Sequence, residues 1–144
     1  MIEIFNYQIL TTTYPKFPYP KDTLEQEIDH IFTNHVGDIN IIFEKSVNVK
    51  RMNMEYRNKD EVTDVLSFPL DTTSISGEVY ISPEYVINNF SNTQFEEEIL
   101  RLIIHGILHI LGYTHKEEFD EQNYSEEMYV LQEQYLSNLS SSLK

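Results

Sequence analysis

The chain of 144 residues has room for one domain with its own core and too little for two, so residues 1–144 read as one unit, folded over 1–139 with 140–144 a frayed tail. A formal net charge of −14 argues against a broad phosphate-binding surface. The lack of cysteine removes disulfides and thiolate metal sites, and no apolar run approaches the length of a membrane span.

The first six residues, Met1 to Asn6, read as a strand. They lack the basic start and small-residue cleavage site of a signal peptide, so the expected compartment is the cytoplasm. Tyr14 to Pro20 is an extended connection, because its prolines fix φ and disfavour helix before them. Asp22 is placed to cap a helix through about Asn34, with Glu25 closing a capping box and Leu24, Ile28 and Ile31 on the inner face. Asp38 to Glu44 alternates as a strand, and Ser46 to Tyr56 suits a short helix. Val62 to Leu70 and Gly77 to Ser82 read as strands around a polar loop, and Pro83 opens a helix through about Phe90. A helix from near Gln94 begins with Glu96, Glu97 and Glu98, which suit the positive end of its dipole. The last helix runs from about Ser125 to Leu139, with Met128, Leu131, Tyr135 and Leu139 as a core stripe. Four strands with interspersed helices predict an α+β (α/β-like) domain built on a mixed four-stranded sheet.

Function is most legible in the run His105-Gly106-Ile107-Leu108-His109-Ile110-Leu111-Gly112-Tyr113-Thr114-His115. His105 and His109 are one helical turn apart and share a face, so both can hold one metal ion. Gly112 can take the left-handed conformation that ends a helix, letting the chain reverse and His115 approach from outside it. Three protein ligands with a fourth position open is the usual form of a catalytic zinc site. The helix around the pair is apolar on nearly every side, from Ile99 to Leu111, and buried imidazoles need partners.

Zinc proteases with the pattern H-E-x-x-H-x-x-G-x-x-H space three histidines in the same way. Their glutamate is the base that activates the metal-bound water. This chain carries Gly106 there, which has no side chain to take a proton and costs about 1 kcal/mol in a helix interior. Gly106 is better read as allowing something to approach the helix closely. Half of the ten Lys and Arg residues (Lys45, Lys50, Arg51, Arg57 and Lys59) fall in one segment of an otherwise acidic chain.

The three-histidine run resembles the signature H-G-x-L-H-L-x-G-Y-D-H of the YbeY-type endoribonucleases, bacterial ribosomal-RNA maturation factors. Tyr56 to Phe68 is similar to that family's Y-R-x-K-D-x-P-T-D-V-L-S-F, and Gly77 to Ser82 to its G-D-I-x-I-S. Thr114 replaces the acid before the third histidine, Val62 a proline, Glu78 an aspartate and Ile110 a leucine. The resemblance implies a zinc-metalloprotease-like architecture, with the metal on a central buried helix. It also implies a single-strand-specific, zinc-dependent endoribonuclease acting in 3′ maturation of small-subunit ribosomal RNA and in ribosome quality control. Carried over by position, His105, His109 and His115 bind one Zn²⁺ per chain, His105 and Arg57 are catalytic, and single-stranded ribosomal RNA is the partner.

The residue chemistry is compatible with that expectation. A zinc-bound water can act near neutral pH, and an arginine fork can meet the charge that develops on a phosphodiester. Lys50, Arg51 and Lys59 would track the RNA backbone. A salt bridge from Arg57 to Asp60 or Asp64 is the competing reading of that arginine. The proton carrier stays open among Glu78, Asp64 and a water. Two other classes also stay open: a metalloprotease whose base comes from outside the histidine run, and a non-enzymatic ribosome-binding factor with structural zinc. An acidic chain can also dock on basic ribosomal proteins; neither DNA nor a membrane is expected as a partner.

Overall fold

Four strands form one sheet: β1 (Ile2–Phe5), β2 (Ile39–Phe43), β3 (Val65–Asp71) and β4 (Ser76–Ile81). The computed structural model describes residues 1–32, 37–57, 65–71, 75–90, 94–113 and 126–144. The strand order is β1-β2-β4-β3, with β1, β2 and β4 mutually parallel and β3 antiparallel at one edge. The mixed four-stranded α+β architecture expected from the sequence is therefore present. Ile2, Ile4, Ile39, Ile41, Phe43, Val79 and Ile81 point to one buried face. Their neighbours Glu3, Phe5, Asn40, Ile42, Glu78 and Tyr80 are exposed or half-buried on the other.

Among the described residues six helices accompany the sheet: α1 (Tyr7–Thr13), α2 (Lys21–Ile31), α3 (Ser46–Arg57), α4 (Pro83–Asn89), α5 (Phe95–Ile110) and α6 (Glu127–Leu143). Helix α5 packs on β3 and β4, α2 on β1, and α6 on both α2 and α5. None of the described helices is long and apolar enough to cross a membrane.

Near the N-terminus one helix is unexpected and one expected cap does not form. Helix α1 is not predicted by the sequence pattern, because its run of three threonines has poor helix propensity. Tertiary contacts override that weakness: Leu10 is fully buried, the Tyr7 hydroxyl donates to the Tyr19 carbonyl, and Thr13 Oγ1 donates back to the Ile9 carbonyl at 2.8 Å. The capping box at Asp22 and Glu25 does not form, since α2 begins at Lys21 after Pro20 without a side-chain cap. Glu25 is used elsewhere: its carboxylate accepts from the Ile4 amide at 2.7 Å and from Lys21 Nζ at 3.0 Å, tying the helix to β1.

The C-terminal helix also departs from expectation. Its inward residues are Met128, Tyr129, Gln132, Leu136 and Leu139, while Leu131 and Tyr135 are only partly buried. The stripe is thus rotated and includes a glutamine. The expected fray at 140–144 is replaced by helix through Leu143, where Ser142 Oγ donates to the Leu139 carbonyl at 3.1 Å and Leu143 packs on the core.

Two contacts lock α5 in place. Towards the sheet, a Cβ at Gly106 would stand 2.4 Å from Val79 Cγ1 and 3.1 Å from Ser67 Oγ, so the missing side chain lets the helix backbone touch the strands. Ser67 Oγ then donates to the Gly106 carbonyl at 3.2 Å. Towards α6, the Arg101 guanidinium grips Glu133 with Nε and Nη2, each at 3.0 Å, and also binds Glu97 and Glu98 one turn earlier. Burial opposes the Arg101 charge, but the Glu133 hydrogen bonds and the surrounding carboxylates outweigh it and raise its pKa. Burial likewise pushes the Glu133 carboxyl up, but the Arg101 hydrogen bonds, then the Gln132 amide and the Arg101 charge, hold it below its ordinary 4.5.

Gly106→Ala should lower the melting temperature. The added methyl overpacks a site next to fully buried Val79, costing about 1–3 kcal/mol, against roughly 1 kcal/mol gained in helix propensity. The double variant Gly106→Ala/Val79→Ala should recover part of the loss, and a melting temperature raised by Gly106→Ala alone would contradict the close packing. A depressed Glu133 pKa contributes stability that is present above 4.5 and lost as the pH falls through the lower folded value. Urea midpoints should therefore fall between neutral pH and about pH 3, and less steeply in Glu133→Gln. Equal slopes for the two proteins would remove this clamp from the acid response.

Candidate metal centre

His105 and His109 lie on α5, half-buried, with ring centroids 4.6 Å apart and planes at 85°. Their Nε2 atoms face one another at 3.0 Å. What each Nδ1 does decides the chemistry of that contact. His109 Nδ1 lies 3.0 Å from the Tyr113 carbonyl oxygen, which can only accept, so Nδ1 carries the proton and donates. His105 Nδ1 lies 2.7 Å from Gln132 Oε1 and donates to it. In their neutral forms both rings then present a lone pair at Nε2.

Two facing lone pairs at that distance repel unless a cation joins them. Ligands on a tetrahedral zinc with bonds of about 2.0–2.1 Å stand roughly 3.3 Å apart, close to the observed separation. The pair thus fits a metal ion of the kind that takes imidazole nitrogen. Among the described residues no group of three His, Cys, Asp or Glu comes together, and His115 lies outside them.

The helix end supplies one of the orienting contacts. Gly112 has φ 104°, and the left-handed turn that the sequence expects there is present. The Gly112 amide donates to the His109 carbonyl and the Tyr113 amide to the Leu108 carbonyl, both at 3.0 Å, a Schellman closure of α5. The same reversal brings the Tyr113 carbonyl back to His109 Nδ1.

Lys50 and Arg51 are exposed on α3, a helix that packs against β3 and α4. Arg57 is the last residue of α3. The side chain of Arg57, and Lys59, Asp60 and Asp64, lie outside the described residues. Glu78 is on the sheet face turned away from α5, where it accepts from the Tyr80 hydroxyl at 3.1 Å, so it does not serve the histidine pair. Gln132 and the Tyr113 carbonyl are the contributors that sequence reasoning missed. The available signal for Gln132 was a glutamine three or four residues from Met128, Tyr129 and Leu136, an inward position for helix α6.

Known proteins resemble this chain over most of its length. The sequence profile of the family described as Endoribonuclease YbeY matches residues 12–140. A protein named Endoribonuclease YbeY from Thermotoga maritima is 38% identical over 123 residues, covering 82% of this chain and 79% of that protein. Another of that name from Persephonella marina is 35% identical over 131 residues, covering 85% and 83%. A Thermotoga maritima protein solved in solution superposes with a TM-score of 0.65 at 32% identity, covering 98% of this chain and 90% of that one. With the profile spanning most of the chain and the paired imidazoles on its matched helix, the chain belongs to the endoribonuclease YbeY family.

Proposed function

We propose that this chain is a hydrolase that cuts single-stranded RNA, acting in 3′ maturation of small-subunit ribosomal RNA and in ribosome quality control. In this reading, residues 1–144 form one catalytic domain of zinc-metalloprotease-like architecture that works in the cytoplasm with the ribosome or its proteins as partners. The observation that supports it most is the pair of Nε2 atoms facing each other at 3.0 Å on a buried helix. His105 and His109 would hold one zinc ion per chain, with His115 as the third ligand. When bound, zinc supplies Lewis acidity and lowers the pKa of a coordinated water toward 7.

The chain's own residues supply the rest. The Tyr113 carbonyl and Gln132 keep both rings in the tautomer that presents Nε2. Arg57 would grip the scissile phosphate with its planar fork, and Lys50, Arg51 and Lys59 would hold the flanking backbone as charged contacts. Position 106, where a protease of similar spacing carries its base, faces Val79 and Ser67 of the sheet. That packing disfavours peptide hydrolysis through this motif.

A chelator and the substitution His109→Ala should each abolish cleavage of a single-stranded RNA. Full activity in either case would remove the metal from the mechanism, and cleavage of unstructured peptides with RNA left intact would transfer the site to protease chemistry. Arg57→Ala should retain the parent's zinc content while losing on the order of 10²–10³ in cleavage rate. Unchanged cleavage by that variant, with zinc intact, would reassign Arg57 to a structural ion pair.

A further inference from the structure

Gln132 is 1% exposed, yet it sits on the inward face of α6 among Met128, Tyr129, Leu136 and Leu139. A glutamine in such a place must place both ends of its amide, because an unmet buried polar group costs about 1–3 kcal/mol. Its amide nitrogen donates to Glu133 Oε2 at 3.1 Å, and its oxygen lies 2.7 Å from His105 Nδ1. The orientation is not arbitrary. Glu133 is held as a carboxylate by the two-pronged Arg101 contact, so its oxygen can only accept. The NH₂ end of Gln132 must face Glu133, which leaves the carbonyl end facing His105. A carbonyl there requires the proton on Nδ1 and leaves Nε2 as the lone-pair atom facing His109.

We propose that Gln132 is a positioning residue for the metal centre: Arg101 fixes Glu133, Glu133 fixes the sense of the Gln132 amide, and that amide sets the tautomer and plane of His105. The relay crosses from α5 to α6 and back, so the readiness of the site depends on how α6 docks. It rests on the reading of His105 and His109 as ligands. A glutamine carbonyl is neutral, so it orients the ring without the added negative charge that a carboxylate would bring. Orienting partners of this kind contribute about 10–100-fold to metal affinity where they have been removed.

The test compares the full-length parent with Gln132→Met, which keeps the length of the side chain and loses the acceptor, and Gln132→Glu, which keeps an acceptor toward His105. Zinc affinity is measured by competition with a chromophoric chelator, and the tautomer of His105 by nitrogen-15 NMR of the metal-free chain. The expected result is a parent with the proton on Nδ1, a Gln132→Met affinity lower by about 10–100-fold, and a Gln132→Glu affinity nearer the parent's. Parent-like zinc affinity in Gln132→Met would overturn the relay and leave the metal reading standing. A parent that binds no zinc would overturn both. If Gln132→Met fails to fold, the parent spectrum still decides, since a His105 carrying its proton on Nε2 contradicts the relay directly. A purely packing role would lower the melting temperature of Gln132→Met without moving the zinc affinity.

Discussion

The contact between Gly106 and the sheet is the constraint on which the site depends. With no side chain at that position, the α5 backbone settles against Val79 and Ser67, and the Gly106 carbonyl takes a hydrogen bond from Ser67. Fixing one direction of a helix fixes all the others, because each residue turns the chain by about 100°. If residue 106 faces the strands, residues 105 and 109 lie roughly 100° and 60° round on one side. That side is where α6 packs, and Gln132 meets His105 there. The helix is thus held at a rotation that buries its apolar residues and leaves both imidazoles at the seam between two helices.

The same few contacts solve a burial problem and a chemical one. Half-buried imidazoles need hydrogen-bonding partners, and here the partners for Nδ1 are two carbonyl oxygens. Because carbonyls only accept, meeting that need also selects the tautomer in which Nε2 carries the free lone pair. One carbonyl comes from the left-handed turn at Gly112, within the motif itself. The other comes from a helix that begins more than twenty residues after His105. Behind it, Arg101 and Glu133 form a charged clamp that ties the two helices together and leaves the glutamine amide one sense of orientation.

Much of this was legible in the sequence. Period-two alternation marked β2, and the apolar run with histidines one turn apart marked α5 and its imidazole pair. Gly112 was readable as a turn, and Gly106 as a close approach, because glycine has few other reasons to occupy those positions. The failures had physical causes. Three threonines hid α1, whose stability comes from Leu10 and Tyr7 contacts with distant residues. Glu25 matched a capping box by spacing but answers an unpaired strand amide instead. Leu131 and Tyr135 suggested a core face on α6 by hydrophobicity, whereas docking against α2 and α5 selected the face that carries Gln132.

The sequence by itself determined the features that short spacing and local backbone preference dictate: a histidine pair on one face of a buried helix, a glycine turn ending that helix, and a residue too small to be a catalytic base. Only the tertiary structure decided that Gly106 faces β3 and β4, that Glu78 lies on the far side of the sheet, and that a glutamine of α6 holds the first imidazole. Such facts depend on how separate elements rotate and pack. That choice is made by summed burial over the whole core, and no local pattern of residues records it.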